Sequence, residues 1–260
     1  SPLRRLRGGV CLEPVLVYKD DMKDGRIGRM GLKSEKEGFL GIWLLLLGFA
    51  GIAAAVLWLH FAWDAKLYSL IGKELEPEEV LEVAGRNSPL TEYVYLTGNA
   101  DFPRKGKIMK ITIHHMGGDF SLEELGKTFA RRDRRASANY AIDSGGKVAL
   151  YVEECNRAWT SGSRENDHQA VTIEVANDQT GGEWHVSDRA YEALIELCVD
   201  ICRRNGIEGL VFTGDEQGNL TMHKMFSSRT ECPGPYLESR MADIAAEVSA
   251  RLYGGEEAEK

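Results

Sequence analysis

Three hydrophobic regimes divide the chain: a charge-free block, a polar acidic stretch, and then short alternating periods. From Gly38 to Trp63 the sequence reads GFLGIWLLLLGFAGIAAAVLWLHFAW, with no Asp, Glu, Lys or Arg. At 1.5 Å per residue this run makes about 39 Å of helix, against a bilayer hydrocarbon core of about 30 Å. Trp43, Trp58 and Trp63 lie toward its ends, where amphipathic rings favour the headgroup level. The pattern predicts a transmembrane helix over 38–63. The run is longer than the apolar region of a signal peptide and no small-x-small cleavage site follows it, so the expectation is an uncleaved anchor.

Charge gives that helix a direction. Arg26, Arg29, Lys33 and Lys36 precede it, while Asp64, Glu74, Glu76, Glu78 and Glu79 follow with only Lys66 and Lys73 among them. The excess of basic residues on the first side puts 1–37 in the cytoplasm and the rest outside. Residues 1–37 mix both charges without periodicity and read as a loosely ordered tail. Residues 64–107 read as an extracellular tether, with Asn87-Ser-Pro and Asn99-Ala-Asp-Phe-Pro as turn signals.

The folded domain is expected over 108–254, ahead of an acidic tail at 255–260. Met109, Ile111, Ile113 and His115 alternate with Lys110, Thr112 and His114, the period of a strand. Ser121-Leu-Glu-Glu124 is a capping box opening a helix through about Arg132. Ser137–Ile142 and Lys147–Val152 flank Ser144-Gly-Gly as a hairpin. Ala170–Val175 is a further strand. Ser187 and Asp188 open a helix with its stripe on Tyr191, Leu194, Ile195, Cys198 and Cys202, stopped at Asn205-Gly206. Leu210-Val-Phe reads as a short strand, and an amphipathic helix follows from about Leu237 to Tyr253. Strands alternating with helices predict an α/β domain, one mixed β-sheet flanked by helices, preceded by the single transmembrane helix.

Composition narrows the chemistry. A net charge of -8 over 260 residues argues against a broad nucleic-acid surface. Five cysteines without regular spacing do not form a disulfide framework. Two histidines and a cysteine stand out: His114 at the end of an apolar strand, and His223 nine residues before Cys232. Such a three-donor set leaves a zinc ion one open position, the pattern of a catalytic site. Strand alternation puts His115 with Ile111 and Ile113 and His114 on the more polar face, so His114 is the expected ligand. Cys198 and Cys202 lie on a buried stripe, whereas Cys232 precedes the rigid Pro233-Gly-Pro235. Coincidence is the alternative for the His223–Cys232 pair. Glu174, mid-strand, lies either on a solvated face or in a cleft.

The run from about Ile108 to Leu237 resembles the zinc-dependent N-acetylmuramoyl-L-alanine amidases, which include phage lysozyme-type amidases and peptidoglycan recognition proteins. The resemblance rests on Ile-Thr-Ile-His114-His115, Ser137-Ala-Asn-Tyr-Ala-Ile-Asp-Ser-Gly-Gly-Lys-Val, Arg157-Ala-Trp159 with Val-Thr-Ile-Glu174-Val, and His223 with Thr230-Glu-Cys232-Pro-Gly-Pro. It is nearest in look to amidase domains of prophage endolysins of Gram-positive bacteria. The resemblance implies zinc on His114, His223 and Cys232, with Glu174 as the strand carboxylate used in some branches. The chain departs from the pattern at Ala138, where some relatives have Tyr. It departs again at Thr230, where some have Lys, and at Thr160, where many have His.

The resemblance also implies the reaction: hydrolysis of the amide between the lactyl group of N-acetylmuramic acid and L-alanine of the peptidoglycan stem peptide. Glu174 would move the proton and Thr230 would share the developing oxyanion. Asn139 and Trp159 are expected as walls of the substrate cleft. The alternative is a membrane-anchored sensor that binds muropeptides without cutting them. Non-catalytic relatives typically lack the cysteine, and Cys232 is present.

Overall fold

A computed structural model describes residues 31–258; the expected tail over 1–30 and the last two residues lie outside the described part. The chain divides into two units, Ser1–Phe61 and Ala62–Lys260. In the first, helix α1 (Gly31–Ser69) starts, running past the apolar block at both ends. Its segment Ile42–Leu59 has a mean hydropathy of 2.4 and is exposed throughout. Among the described residues it is the one helix long and apolar enough to cross a membrane. Residues 31–37, read from sequence as tail, are helical.

The second unit is built on a six-stranded mixed sheet. Its strands are β1 (Thr91–Val94), β3 (Lys110–His115), β4 (Tyr140–Ile142), β5 (Val148–Leu150), β7 (Ala170–Val175) and β8 (Leu220–Met222), in the order β1-β5-β4-β7-β3-β8. β4, β7, β3 and β8 run parallel, and β5 turns back antiparallel to β4 through the expected hairpin. A separate antiparallel ribbon pairs β2 (Ala100–Asp101) with β6 (Arg157–Ala158).

The stretch expected to be a tether is mostly structure. Helix α2 (Pro77–Gly85) and β1 lie within it, and β1 pairs in parallel with β5 at the sheet edge. The turn signals at Asn87 and Asn99 separate short elements, and Val83, Val94 and Leu96 supply their buried contacts. Short elements with few apolar residues give too little periodicity to be seen in sequence.

Alternation sorts the sheet into two faces. Ile111, Ile113, Val171, Ile173, Val175, Leu220, Tyr140 and Ile142 point into one apolar core. It is closed by α5 (Asp188–Asn205), through Leu194, Ile195, Cys198 and Ile201, and by α7 (Met241–Ala258), through Ile244 and Val248. The opposite face carries Thr112, His114, Thr172, Glu174 and Thr221. Part of that face is covered by α3 (Leu122–Ala130), which packs Leu122 and Phe129 on Ala138, Ala141, Ala149 and Tyr151. The capping box at α3 forms as expected, with Ser121 Oγ accepting the Glu124 N–H and Glu124 the Ser121 N–H. At the other end of α5, Gly206 takes a left-handed φ of 67° to stop the helix.

Two further expectations need correction. Residues 210–212 are not a strand: Val211 accepts the N–H groups of Asn219 and Leu220 and donates to Asn219 Oδ1, so its hydrogen bonds close a loop. The ladder position beside β3 belongs to β8. The terminal helix is divided into α6 (Gly234–Glu238) and α7, and α4 (Arg164–Gln169), capped by Ser163, was not foreseen.

Candidate metal centre

Register across three parallel strands assembles the site. His114 on β3 lies opposite Glu174 on β7. On the other side Ile113 lies opposite Met222, so the next residue, His223, arrives beside His114 with ring centroids 4.7 Å apart. Glu174, His114 and His223 thus form one row on the polar face. Below it, Thr172, Thr112 and Thr221 form a second row, with 2.9 Å between the Thr112 and Thr221 hydroxyls.

Cys232 enters from the segment ahead of α6, through a cis peptide bond to Pro233. Its Sγ lies 3.6 Å from His114 Nδ1 and accepts the His115 N–H at 3.3 Å. One ligand atom each from His114, His223 and Cys232 lies within 4.8 Å of the others. Zinc–sulfur and zinc–nitrogen bonds of about 2.3 and 2.0–2.1 Å at a tetrahedral angle set sulfur and nitrogen about 3.6 Å apart, the separation seen here.

The electrostatics suit a cation. Burial, with the neighbouring His223 and His115, holds His114 well below the usual histidine range, and burial lowers His223. Neutral imidazole is the ligating form. Burial pushes the Cys232 thiol well up, the Glu174 charge adding to it, so its thiolate needs a positive partner in this pocket. Glu174 Oε2, in the same row, is buried with no protein partner. Such atoms are costly unless something satisfies them. The donor set therefore fits a divalent metal.

Glu174 Oε1 lies 4.0 Å from His114 Nδ1, a carboxyl beside a neutral ring rather than an ion pair. Burial raises its pKa to about 8, opposed by the Arg134 guanidinium. Thr230 accepts the Cys232 N–H on its hydroxyl at 3.1 Å, bracing the loop that carries the thiol. The other two expected residues are placed differently. Asn139 is fully buried, donating to Val152 O and accepting from the Thr172 backbone N–H, so it ties strands together and does not wall a cleft. Trp159 is half-buried and its indole N–H donates to Asp101 at 2.8 Å, on the β2–β6 ribbon.

Sequence reading missed the other side of the thiol. Half-buried Trp184, at a left-handed φ of 54°, meets the His115 ring edge-on with centroids 5.2 Å apart. Asn177 holds it, donating to Trp184 O while accepting the Gly117 N–H. Gly234, at φ 83°, leaves room that a β-carbon would take from His115 and Trp184, each 3.1 Å away. Nothing in the periodicity marks these loop residues.

The fold and site define an α/β domain with a three-donor centre able to hold a metal. Residues 104–235 match the N-acetylmuramoyl-L-alanine amidase family, and the chain belongs to that family. Among solved structures, PlyL is 19% identical with a TM-score of 0.43, covering 69% of this chain and 96% of its own. A selenomethionine derivative of AmpD is 20% identical with a TM-score of 0.46, covering 58% and 93%. The endolysin amidase LysCS from Clostridium intestinale URNW is 15% identical with a TM-score of 0.43, covering 58% and 94%. No curated protein sequence matches the chain.

Proposed function

We propose that this protein is a zinc-dependent peptidoglycan hydrolase that cleaves the amide between the lactyl group of N-acetylmuramic acid and L-alanine of the stem peptide. Two things support the reading: family membership, and the row of Glu174, His114 and His223 with Cys232 Sγ 3.6 Å from His114. The row is the observation that carries it.

His114, His223 and Cys232 would hold the ion. Zinc bound there supplies a Lewis acid for a carbonyl oxygen and makes water more acidic. Glu174 takes a proton from the attacking water, whose oxygen bonds to the carbonyl carbon, and passes a proton to the departing amine nitrogen. Burial raises the pKa of Glu174 to about 8, and a bound cation together with the Arg134 charge would favour the ionised form that this role begins from. Thr230 already accepts the Cys232 N–H, which leaves its own hydrogen free to donate to the developing oxyanion.

In this reading α1 anchors the protein in the cell membrane, with residues 1–37 on the cytoplasmic side and the sheet domain from α2 to α7 outside, against the wall. The test is digestion of purified cell wall by the full chain in detergent, followed by mass spectrometry. New L-alanine N-termini, lost with a chelator and restored by zinc, are expected. Wall binding without their release would replace the hydrolase with the sensor.

A further inference from the structure

We propose that Trp184, tied by Asn177 and packed on His115 and Gly234, is a positioning residue that fixes the Cys232 sulfur at metal-binding distance from His114. The purpose of this brace rests on the zinc reading of the site; its geometry does not. Of the three donors, Cys232 alone has no place on the sheet. His114 lies in β3, and His223 directly follows β8. Cys232 sits outside the strands, on the loop ahead of α6. A metal ion sets the positions of its donors closely, so a donor on a loop has to be oriented by the residues around it.

Hydrogen bonds hold the cysteine itself. Thr230 Oγ1 accepts its N–H, the Lys224 N–H donates to its carbonyl at 2.9 Å, and the His115 N–H donates to Sγ. The chain just beyond the thiol is held by packing instead. A β-carbon on Gly234 would stand 3.1 Å from both His115 Nδ1 and Trp184 Cβ, so these two side chains close on the backbone two residues after Cys232. The indole in turn meets the His115 ring edge-on, with 76° between the planes. Trp184 is itself held in an unusual form. Its φ of 54° is a left-handed conformation that a β-carbon disfavours and that persists only where neighbours enforce it. The Trp184 N–H donates to Gly181 O at 3.0 Å, and Asn177 Nδ2 donates to Trp184 O at 2.7 Å. The preceding carbonyl, of Glu183, accepts the Tyr236 N–H from α6 at 2.9 Å. Asn177 is fully buried and also accepts the Gly117 N–H. The loops after β3, after β7 and ahead of α6 therefore meet at one indole, beside the one donor that the sheet does not place.

The experiment measures the zinc affinity of the full chain in detergent, by competition with a chromophoric chelator. Trp184→Ala keeps the β-carbon beside Gly234 and removes the ring. It is expected to bind zinc about 10–100-fold more weakly, the range for residues that orient a metal's ligands. Asn177→Ala, which leaves the ring and removes its tie, is expected to shift in the same direction. Trp184→Phe, which keeps an aromatic edge for His115, is expected to recover most of the affinity. Glu154→Ala, which loosens the fold at Arg204 instead, is expected to bind as the native chain does. With cobalt in place of zinc, the thiolate-to-metal charge-transfer band at saturation should weaken in Trp184→Ala and return in Trp184→Phe. Loss of fold stability alone would not move that band. Native affinity or an unchanged cobalt band in Trp184→Ala overturns the brace, and so does an equal loss of affinity in Glu154→Ala. If the native chain takes up no metal, the zinc reading fails on its own. Alkylation of Cys232, followed by mass spectrometry, then decides the brace: faster reaction in Trp184→Ala than in the native chain upholds it, and equal rates overturn it.

Discussion

Glu174 shows how one residue's meaning depends on its surroundings. In sequence it could face solvent or a cleft; in the sheet it lies directly opposite His114, with one oxygen unpartnered. Glu174→Gln keeps its volume and removes the base, so turnover on cell wall should fall about 10²–10⁴-fold while metal content stays unchanged. Near-native turnover would remove Glu174 from the chemistry. Asp101 makes a different, structural prediction. The Arg157 hydrogen bond chiefly, helped by Trp159 and by the charges of Arg157 and Arg164, lowers its pKa to about 2. A depressed carboxyl stabilises the fold above its ordinary value near 3.8, and that contribution disappears as pH falls through about 2. Urea titrations of Asp101→Asn should therefore show lower stability at pH 7 and a shallower loss between pH 4 and 2 than the native chain. Parallel pH profiles would contradict this.

At the scale of elements, what was legible depended on length and period. β3 and β7 each alternate over six residues, and α3 and α5 carry side-chain caps, so their positions and faces could be read directly. β8 has three residues, and its neighbour at 210–212 has an equally apolar pattern. Only tertiary pairing chooses between them. The same holds for β1, whose place beside β5 makes sense of a stretch that looks like a linker. The three residues proposed as metal donors could be picked out in sequence because their types, not their packing, carry the signal, and the fold brings their donor atoms within 4.8 Å of one another. Asn139 misled because a buried amide bridging strands looks, in sequence, like one facing a ligand. Trp184 and Asn177 were invisible, since loop geometry gives them their role. Glu154 joins elements in a similar way. It receives the Arg204 guanidinium through both oxygens and the Tyr140 hydroxyl at 2.6 Å, coupling α5 to β4. Glu154→Ala removes the forked partner of Arg204 and the acceptor of the buried Tyr140 hydroxyl while Asp200 still pairs with Arg204, and should cost about 1–3 kcal/mol in chemical denaturation. A loss under 1 kcal/mol would show that the cluster is not a support of the fold.

The whole molecule combines an acidic domain with a helix fit for a membrane, and places its chemistry on one face of one sheet. The apolar face, closed by α5 and α7, supplies the rigidity; the opposite face holds the two polar rows. In the proposed reading metal binding and folding are coupled, because the buried Cys232 thiol favours its neutral form without a cation. Removal of metal should lower the melting temperature of the sheet domain, and its return should restore it.

All of this depends on two imidazoles and a thiolate sharing one ion. The decisive measurement is elemental analysis of the purified full chain beside Cys232→Ser, each assayed on cell wall. About one zinc per native chain, with metal and hydrolysis both lost in the variant, is the expected result. Full activity in a metal-free native protein, or in the variant, would contradict it.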